Sequence, residues 1–293
     1  MIDYDKTFAS RLFDKINILL LILVIIATLY PFYYITIVSL SNGNAVLRGE
    51  VKLWPVGLTL ESYRLVFENP AIPPSLKNSV IYTTVGTAIN LVMTTLCAFP
   101  LARPRFSGRT IFTWVVTLTM FVSGGLIPLY LLVIQLGIID SIWALVLPGA
   151  INVWNMFILR TAFQGIPEEL YEAAIIDGAN DLQALVKIAL PLSKAVFATL
   201  LLFYAVAHWN DFFNGLIFLN DRAKYPIQLV MRNIVILGRF EQTNELGAAS
   251  DFAAIEQTLK YATIMVSTLP ILAVYPFVQK YFVRGVMIGA IKG

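Results

Sequence analysis

The sequence predicts an all-α polytopic membrane protein with six transmembrane helices, on three observations. Of its 293 residues, 58% are hydrophobic and only 13% charged, with a mean hydropathy of +0.75; soluble domains carry roughly 25% charged residues. The apolar runs are about 20 residues or longer and nearly free of charge, which suits helical spans and not the ten-residue alternation of a barrel. One stretch between them, Pro167 to Pro191, is polar and reads as a short helix, a break and a second helix.

In chain order, Met1 to Ile16 is polar, with Lys6, Arg11 and Lys15. The first span covers residues 17–40, too long for a secretory signal and without a convincing cleavage site after it. Tyr30-Pro31 is expected to kink it. Ser41 to Leu76 is a long polar segment holding Trp54-Pro55 and Pro73-Pro74. The second span is 77–102, followed by a basic loop with Arg103, Arg105 and Arg109. The third span, 110–135, is interrupted by Gly124-Gly125 and Pro128, and a turn at Asp140 leads to the fourth, 142–163. The loop 165–190 comes next, then the fifth span, 191–214. A second long polar segment, Gly215 to Leu259, precedes the sixth span, 260–279, which Pro270 and Pro276 bend. The whole chain, 1–293, reads as one transmembrane domain without internal repeats. Six spans put both termini and the 165–190 loop on one side. The short segments there hold more Lys and Arg than the long segments opposite, so that side is cytoplasmic.

Several function classes drop out. A net charge of +3 supports no nucleic-acid partner. Cys97 lies in an apolar run and reads as a small buried hydrophobe. One histidine and one cysteine make no metal cluster. No G-x-x-x-x-G-K-[ST] loop is present, so the chain is not expected to hydrolyse ATP or to bind a cofactor itself.

The polar stretch has its own logic. Pro167 suits a helix start, and Glu168 and Glu169 suit the positive end of the helix dipole. Leu170, Ala173, Ala174 and Asp177 recur at spacings of three and four, and the Leu and Ala positions give a small, partly apolar face. Gly178 can take the positive φ that ends a helix. Asn180 with Gln183 predicts a capping box. Ile188 and Leu190-Pro191 lead into the next span.

Polar groups at membrane depth are costly unless they face a cavity or one another. Asn90, among several threonines, and Asn152 with Asn155, beside Trp154, are expected near mid-membrane. Counting from Pro191 at 1.5 Å per residue puts His208 about 25 Å from the cytoplasmic end. The cluster His208, Trp209, Asn210 and Asp211 is therefore expected in the outer third. The asparagine groups read either as helix-to-helix bonding or as the wall of a pathway; the His208 cluster reads either as an interfacial anchor with Trp209 at headgroup level or as the lining of an upper cavity; Trp with amides suits a sugar.

Glu172-Ala173-Ala174, Gly178, Ile188 and Leu190-Pro191 resemble, position by position, the coupling loop of binding-protein-dependent ABC importer permeases. The resemblance extends over the whole chain. Ile166 to Leu170, the Trp209-Asn210 stretch and the terminal Gly289 to Gly293 are similar to the maltose-type carbohydrate branch, above all to permeases for oligosaccharides, including acidic ones such as alginate or rhamnogalacturonan fragments. The resemblance implies the type I ABC importer permease fold in a bacterial inner membrane. It implies a heterodimer with a second permease, two cytoplasmic ATPase subunits carrying ATP and Mg, and an extracytoplasmic solute-binding protein. Glu169, Glu172, Ala173, Ala174, Asp177, Gly178, Leu190 and Pro191 become the ATPase-coupling residues, with Glu172 making a polar contact in the ATPase cleft. Asn90, Asn152, Trp154, Asn155, His208, Trp209, Asn210 and Asp211 become the substrate pathway. A permease for a non-sugar solute and a non-transporting membrane scaffold remain as alternatives.

Overall fold

The computed structural model describes residues 8–237 and 255–274, and their regular structure is helical throughout. In order come α1 (Phe8–Ser39), α2 (Gly43–Leu47), α3 (Glu61–Glu68), α4 (Ile72–Ala102), α5 (Arg109–Phe121), α6 (Leu126–Gln135) and α7 (Ile142–Val146). Then follow α8 (Val153–Gln164), α9 (Glu168–Ile176), α10 (Asp181–Ala184), α11 (Leu190–Leu192), α12 (Lys194–Trp209), α13 (Phe213–Phe218) and α14 (Ile227–Leu237). A last helix, α15, covers 255–274. The chain forms two compact units, one from the residues up to Asn69 with Ile234–Val266, the other from Pro70–Asn233 with the residues from Ser267.

In the first unit, α1 carries its charges, Arg11, Asp14 and Lys15, in its first turns, and none of the apolar 18-residue window within Ser10–Ser39 is buried. Pro31 lies inside it and does not end it. Its last turns are buried: Ile37 and Val38 join Ala45 and Val51, with Tyr34 and Tyr261 packed on that cluster. Tyr34 meets Tyr261 edge-on at 6.2 Å between ring centroids, and Ser62 Oγ donates to Thr258 Oγ1 at 2.8 Å. The segment after α1 is therefore tied to α15, although it looks like an open loop in sequence.

The second unit is built around α4. Its first turn holds Pro73 and Pro74, where a missing N–H costs nothing, so the helix begins earlier than the expected residue 77. Its buried face carries Ser79, Gly86, Thr87, Asn90, Thr94, Thr95, Ala98 and Phe99. Small and hydroxyl residues on that face let α8 and α12 approach closely.

Three expected spans differ from continuous helices. The third breaks as its glycines predict: α5 and α6 meet at 114°, with Gly125 at φ +83°. The fourth is not one helix. α7 and α8 are separated by Leu147–Asn152, because Pro148-Gly149 is a strong breaker inside a hydrophobic run. In the fifth, Asp181–Leu192 and Lys194–Trp209 are bent by 87° at Ser193. The turn just before Pro191 is a π-helix, Leu185–Ala189, the widening expected where a proline cannot donate to the preceding turn. By length and composition, two described helices can cross a bilayer alone, and the two bent pairs reach that length as broken spans. The segment after Gly215, expected as a polar connection, contains α14 among its described residues, and α14 buries Ile227, Leu229 and Val230. Residues 275–293, with Pro276 and the terminal Gly289 to Gly293 motif, lie outside the described residues.

The turn at Asp140 is real and closely tied. Asp140 has φ +56°, tolerable for an Asp. Its Oδ1 accepts from the N–H groups of Asn220 and Asp221 at 2.9 and 3.0 Å. Lys224 Nζ donates to Asp140 Oδ2 at 2.5 Å and to its carbonyl at 2.9 Å. Asn78 and Tyr82 on α4 donate to carbonyls of the same 223–225 loop. Lys224 first, then the two amides, holds the Asp140 carboxyl below its ordinary range. A depressed folded-state value contributes stability that is complete above the unfolded value and is lost as pH falls through the folded one. Acidification below about pH 4 is therefore expected to lower the melting temperature of the detergent-purified protein. Asp140→Asn should be less stable at neutral pH and should show a flatter acid limb; an acid limb unchanged in Asp140→Asn would remove this clasp from the account.

Candidate functional site

The polar stretch folds as its residues dictate. α9 begins at Glu168 after Pro167, with Glu168 and Glu169 in its first turn. Gly178, at φ +82°, closes the helix. Asn180 and Gln183 form the full capping box of α10.

One residue anchors α9. Tyr171 is buried and packs edge-on against Phe99 of α4, centroids 6.1 Å apart. Arg103, just past the end of α4, places its guanidinium 3.7 Å from the centre of the Tyr171 ring. Its Nη2 lies 2.9 Å from Glu168 Oε1. Burial pushes the Tyr171 phenol up from its ordinary range, and Arg103 only partly offsets this. Arg105 Nη2 donates to Glu172 Oε1 at 2.7 Å; both side chains are half exposed, so the pair contributes at most about 1 kcal/mol. The carboxylate expected to reach an ATPase is therefore held by the chain's own basic loop. Arg103, Arg105, Glu168 and Tyr171 were not among the expected site residues. Their signal was the run of arginines at the loop, read only for its sidedness.

The opposite side of α9 is bare. Glu169, Leu170, Ala173, Ile175, Ile176, Asp177 and Gly178 are exposed and Ala174 is half-buried; Ile176 reaches 85% exposure. A large aliphatic so exposed beside small residues is what a close-fitting partner covers. Leu190 is half-buried and Pro191 exposed, ahead of the bend at Ser193.

From Tyr171 one hydrophobic cluster runs without interruption through Phe99, Phe163, Ala184, Leu185, Ala189 and Leu200 to Tyr204. Beyond Tyr204 the core turns polar. Tyr204 Oη lies 2.6 Å from Thr94 Oγ1 and accepts from the Asn152 N–H at 3.3 Å. Asn90 is 1% exposed. Its Nδ2 donates to the Gly149 carbonyl at 2.6 Å, and His208 Nε2 lies 2.5 Å from its Oδ1. Since Oδ1 can only accept, Nε2 carries the proton. Gly86 makes room for this: a Cβ there would lie 2.5 Å from His208 Nε2. The hydroxyls of Thr83, Thr87 and Thr95 are buried with no hydrogen-bond partner among the described residues.

The expected pathway residues thus divide. Asn90, His208 and Asn152 come together around Gly149 and Tyr204. Asn152 caps α8, its Oδ1 accepting from the Asn155 N–H at 3.0 Å, and Asn155 is buried. Trp154 stands elsewhere. It is 65% exposed and lines an apolar cavity of about 800 Å³ with Phe157, Ile166, Leu170, Leu192 and Val196. Trp209 is buried and its indole N–H donates to the Ser267 carbonyl at 3.0 Å. Asn210 bonds within its own helix, donating to the Val206 carbonyl. Asp211 starts α13 by accepting from the Asn214 backbone and side-chain amides. Helix α12 restarts at Lys194 after the bend, so His208 stands about 21 Å along it, beside Asn90, which lies roughly 18 Å back from Ala102 along α4.

Among the described residues the regular structure is all helical, with α9 bare on one side and a buried polar core on α4, α8 and α12, an arrangement that suits a membrane transport subunit. Residues 90–288 match the model of the binding-protein-dependent transport system inner membrane component, and the chain belongs to that family. It is a permease subunit and not an enzyme, and ATP hydrolysis belongs to a separate subunit. It is 44% identical to protein LplC of Bacillus subtilis over 98% of this chain and 97% of that one. It is 42% identical to the polygalacturonan/rhamnogalacturonan transport system permease protein YtcP of the same organism, over 97% and 99%. Among solved structures, a bacterial ABC transporter involved in the import of the acidic polysaccharide alginate superposes with a TM-score of 0.85 at 32% identity, covering 94% of this chain and 98% of that one.

Proposed function

We propose that this chain is one of two permeases in an importer for oligosaccharides, among them chains bearing uronic acids, working by alternating access. The names of its relatives supply the substrate class. The observation that carries the mechanism is the unbroken packing from Tyr171 on α9 to Tyr204 at the polar core. A movement imposed on α9 has no soft layer in which to dissipate, because close-packed interiors transmit displacement. The bare face of α9, with Ala173, Ala174 and Gly178, seats in a cytoplasmic ATPase that binds ATP and Mg. Two such ATPases close on ATP, the spans swing from inward-open to outward-open, and hydrolysis resets them. A solute-binding protein outside delivers the sugar, and Asn90, His208 and Asn152 line the route. Both termini then face the cytoplasm.

The test is ATPase activity of the reconstituted complex of this chain, its partner permease, the ATPase and the binding protein. Galacturonate and alginate oligomers, maltotriose and a non-sugar amine are screened in turn. Stimulation of several-fold by at least one sugar is expected, with the acidic oligomers strongest. A complex that hydrolyses ATP and responds only to the non-sugar solute would overturn the carbohydrate reading and leave the coupling segment standing.

A further inference from the structure

At the same end of the second unit as α9, the first three turns of α5 and Arg160 of α8 line an open cavity of about 280 Å³. It is lined by Arg109, Thr110, Thr113, Trp114, Thr117 and Arg160. Two guanidiniums, three hydroxyls and an indole face it, and no carboxylate does. The neighbouring arginines have found acids, Arg103 with Glu168 and Arg105 with Glu172. Arg109 and Arg160 pair with none among the described residues. Arg160 is nevertheless fixed: its Nε donates to the Leu101 carbonyl at 3.0 Å, and its guanidinium lies 5.6 Å from the Phe157 ring centre. Its Nη groups remain unused by protein acceptors among the described residues. The Thr113 hydroxyl is buried with no hydrogen-bond partner among the described residues. Two like charges facing one small cavity repel, and each loses solvation there. A ligand with negative oxygens relieves both, since a guanidinium fork matches a carboxylate or phosphate.

We propose that this cavity is an oxyanion site that takes a carboxylate or a phosphate between Arg109 and Arg160, with Thr113 donating to it. It lies apart from the Asn90–His208 core. Two sources supply such a group. One is the phosphate of an anionic lipid, which basic pockets between helices hold at the cytoplasmic surface, with Trp114 at headgroup level. The other is the carboxylate of a uronic sugar leaving the route, with Trp114 as a stacking face. The lipid source stands by itself; the sugar source rests on the carbohydrate reading above.

The complex is placed in nanodiscs of phosphatidylcholine with phosphatidylglycerol, and the lipid retained is counted by native mass spectrometry. In parallel, trigalacturonate and maltotriose are titrated calorimetrically. The parent is expected to prefer the charged member of at least one pair. Arg109→Gln and, separately, the near-isosteric Thr113→Val should weaken that preference at least fivefold, with melting temperatures near the parent's. Loss of phosphatidylglycerol retention with trigalacturonate binding unchanged assigns the site to lipid; the reverse assigns it to substrate. A parent without preference in either pair, or variants that keep both charged probes at parent level, would overturn the proposal. Failure of every sugar in the ATPase screen leaves the lipid arm untouched.

Discussion

Ala174→Arg and Gly178→Asp are expected to bring uptake to background while the chain still inserts and assembles with its partner permease. Neither position holds the fold together. Ala174 is half-buried on a helix whose anchor is Tyr171. A Cβ at Gly178 meets nothing within 4 Å. The positive φ there costs a non-glycine residue about 1 kcal/mol, and Asp tolerates that region better than most. Most of the loss therefore comes from the partner side. A buried arginine or carboxylate without a mate at a close-packed interface costs several kcal/mol, enough to unseat the ATPase. The expected signature is a chain present in the membrane at parent level, with at least a hundredfold less uptake and little ATPase recovered on affinity purification. Uptake at parent level in both variants would remove α9 from the coupling role. Arg105→Ala is the useful control, since an exposed pair of that kind is worth little.

Gly86→Ala carries the second large effect, on stability. The new methyl would sit 2.5 Å from His208 Nε2, far inside contact distance. The imidazole must swing away, which breaks its bond to Asn90 and leaves a buried amide oxygen unpaired. Overpacking of this kind costs about 1–3 kcal/mol, and the orphaned group a similar amount. A fall in melting temperature of several degrees is expected for the detergent-solubilised complex. The double variant Gly86→Ala with His208→Ala should recover much of it, because the methyl then occupies vacated space. Additive losses in that cycle would show that the two residues do not meet.

What was legible in the sequence is what local chemistry decides. The break at Gly124-Gly125, the positive φ at Gly178 and the Asn180–Gln183 box each depend on a few adjacent residues. What stayed hidden is the direction of a helix after a break and the identity of its non-local partners. No residue count announces that His208 meets Asn90, because they lie on separate helices, 118 residues apart. Arg103 and Glu168 are far apart in sequence, so no spacing announces their pairing or the burial of Tyr171 beneath them. Pro148-Gly149 breaks the expected fourth span inside a hydrophobic run; helices broken at a buried site are tolerated because the protein, not lipid, meets the freed carbonyls. The Gly149 carbonyl is taken by Asn90. Trp154 sits between Asn152 and Asn155 in sequence, yet it is 65% exposed and lines the apolar cavity beside Leu170, apart from the Asn90–His208 core.

The bend at Ser193 gives the proposed coupling a mechanical form. Asp181–Leu192 lies nearly square to Lys194–Trp209, at 87°, and on that proposal the pair would work as a crank. A push delivered along the short arm reaches the long arm sideways and tips it. The long arm is 16 residues, about 24 Å, so a tilt of roughly 10° sweeps its far tip by about 4 Å. That tip carries His208, and about 4 Å exceeds what any hydrogen bond survives. A small stroke at the ATPase would therefore be geared up into the parting or closing of the Asn90–His208 latch.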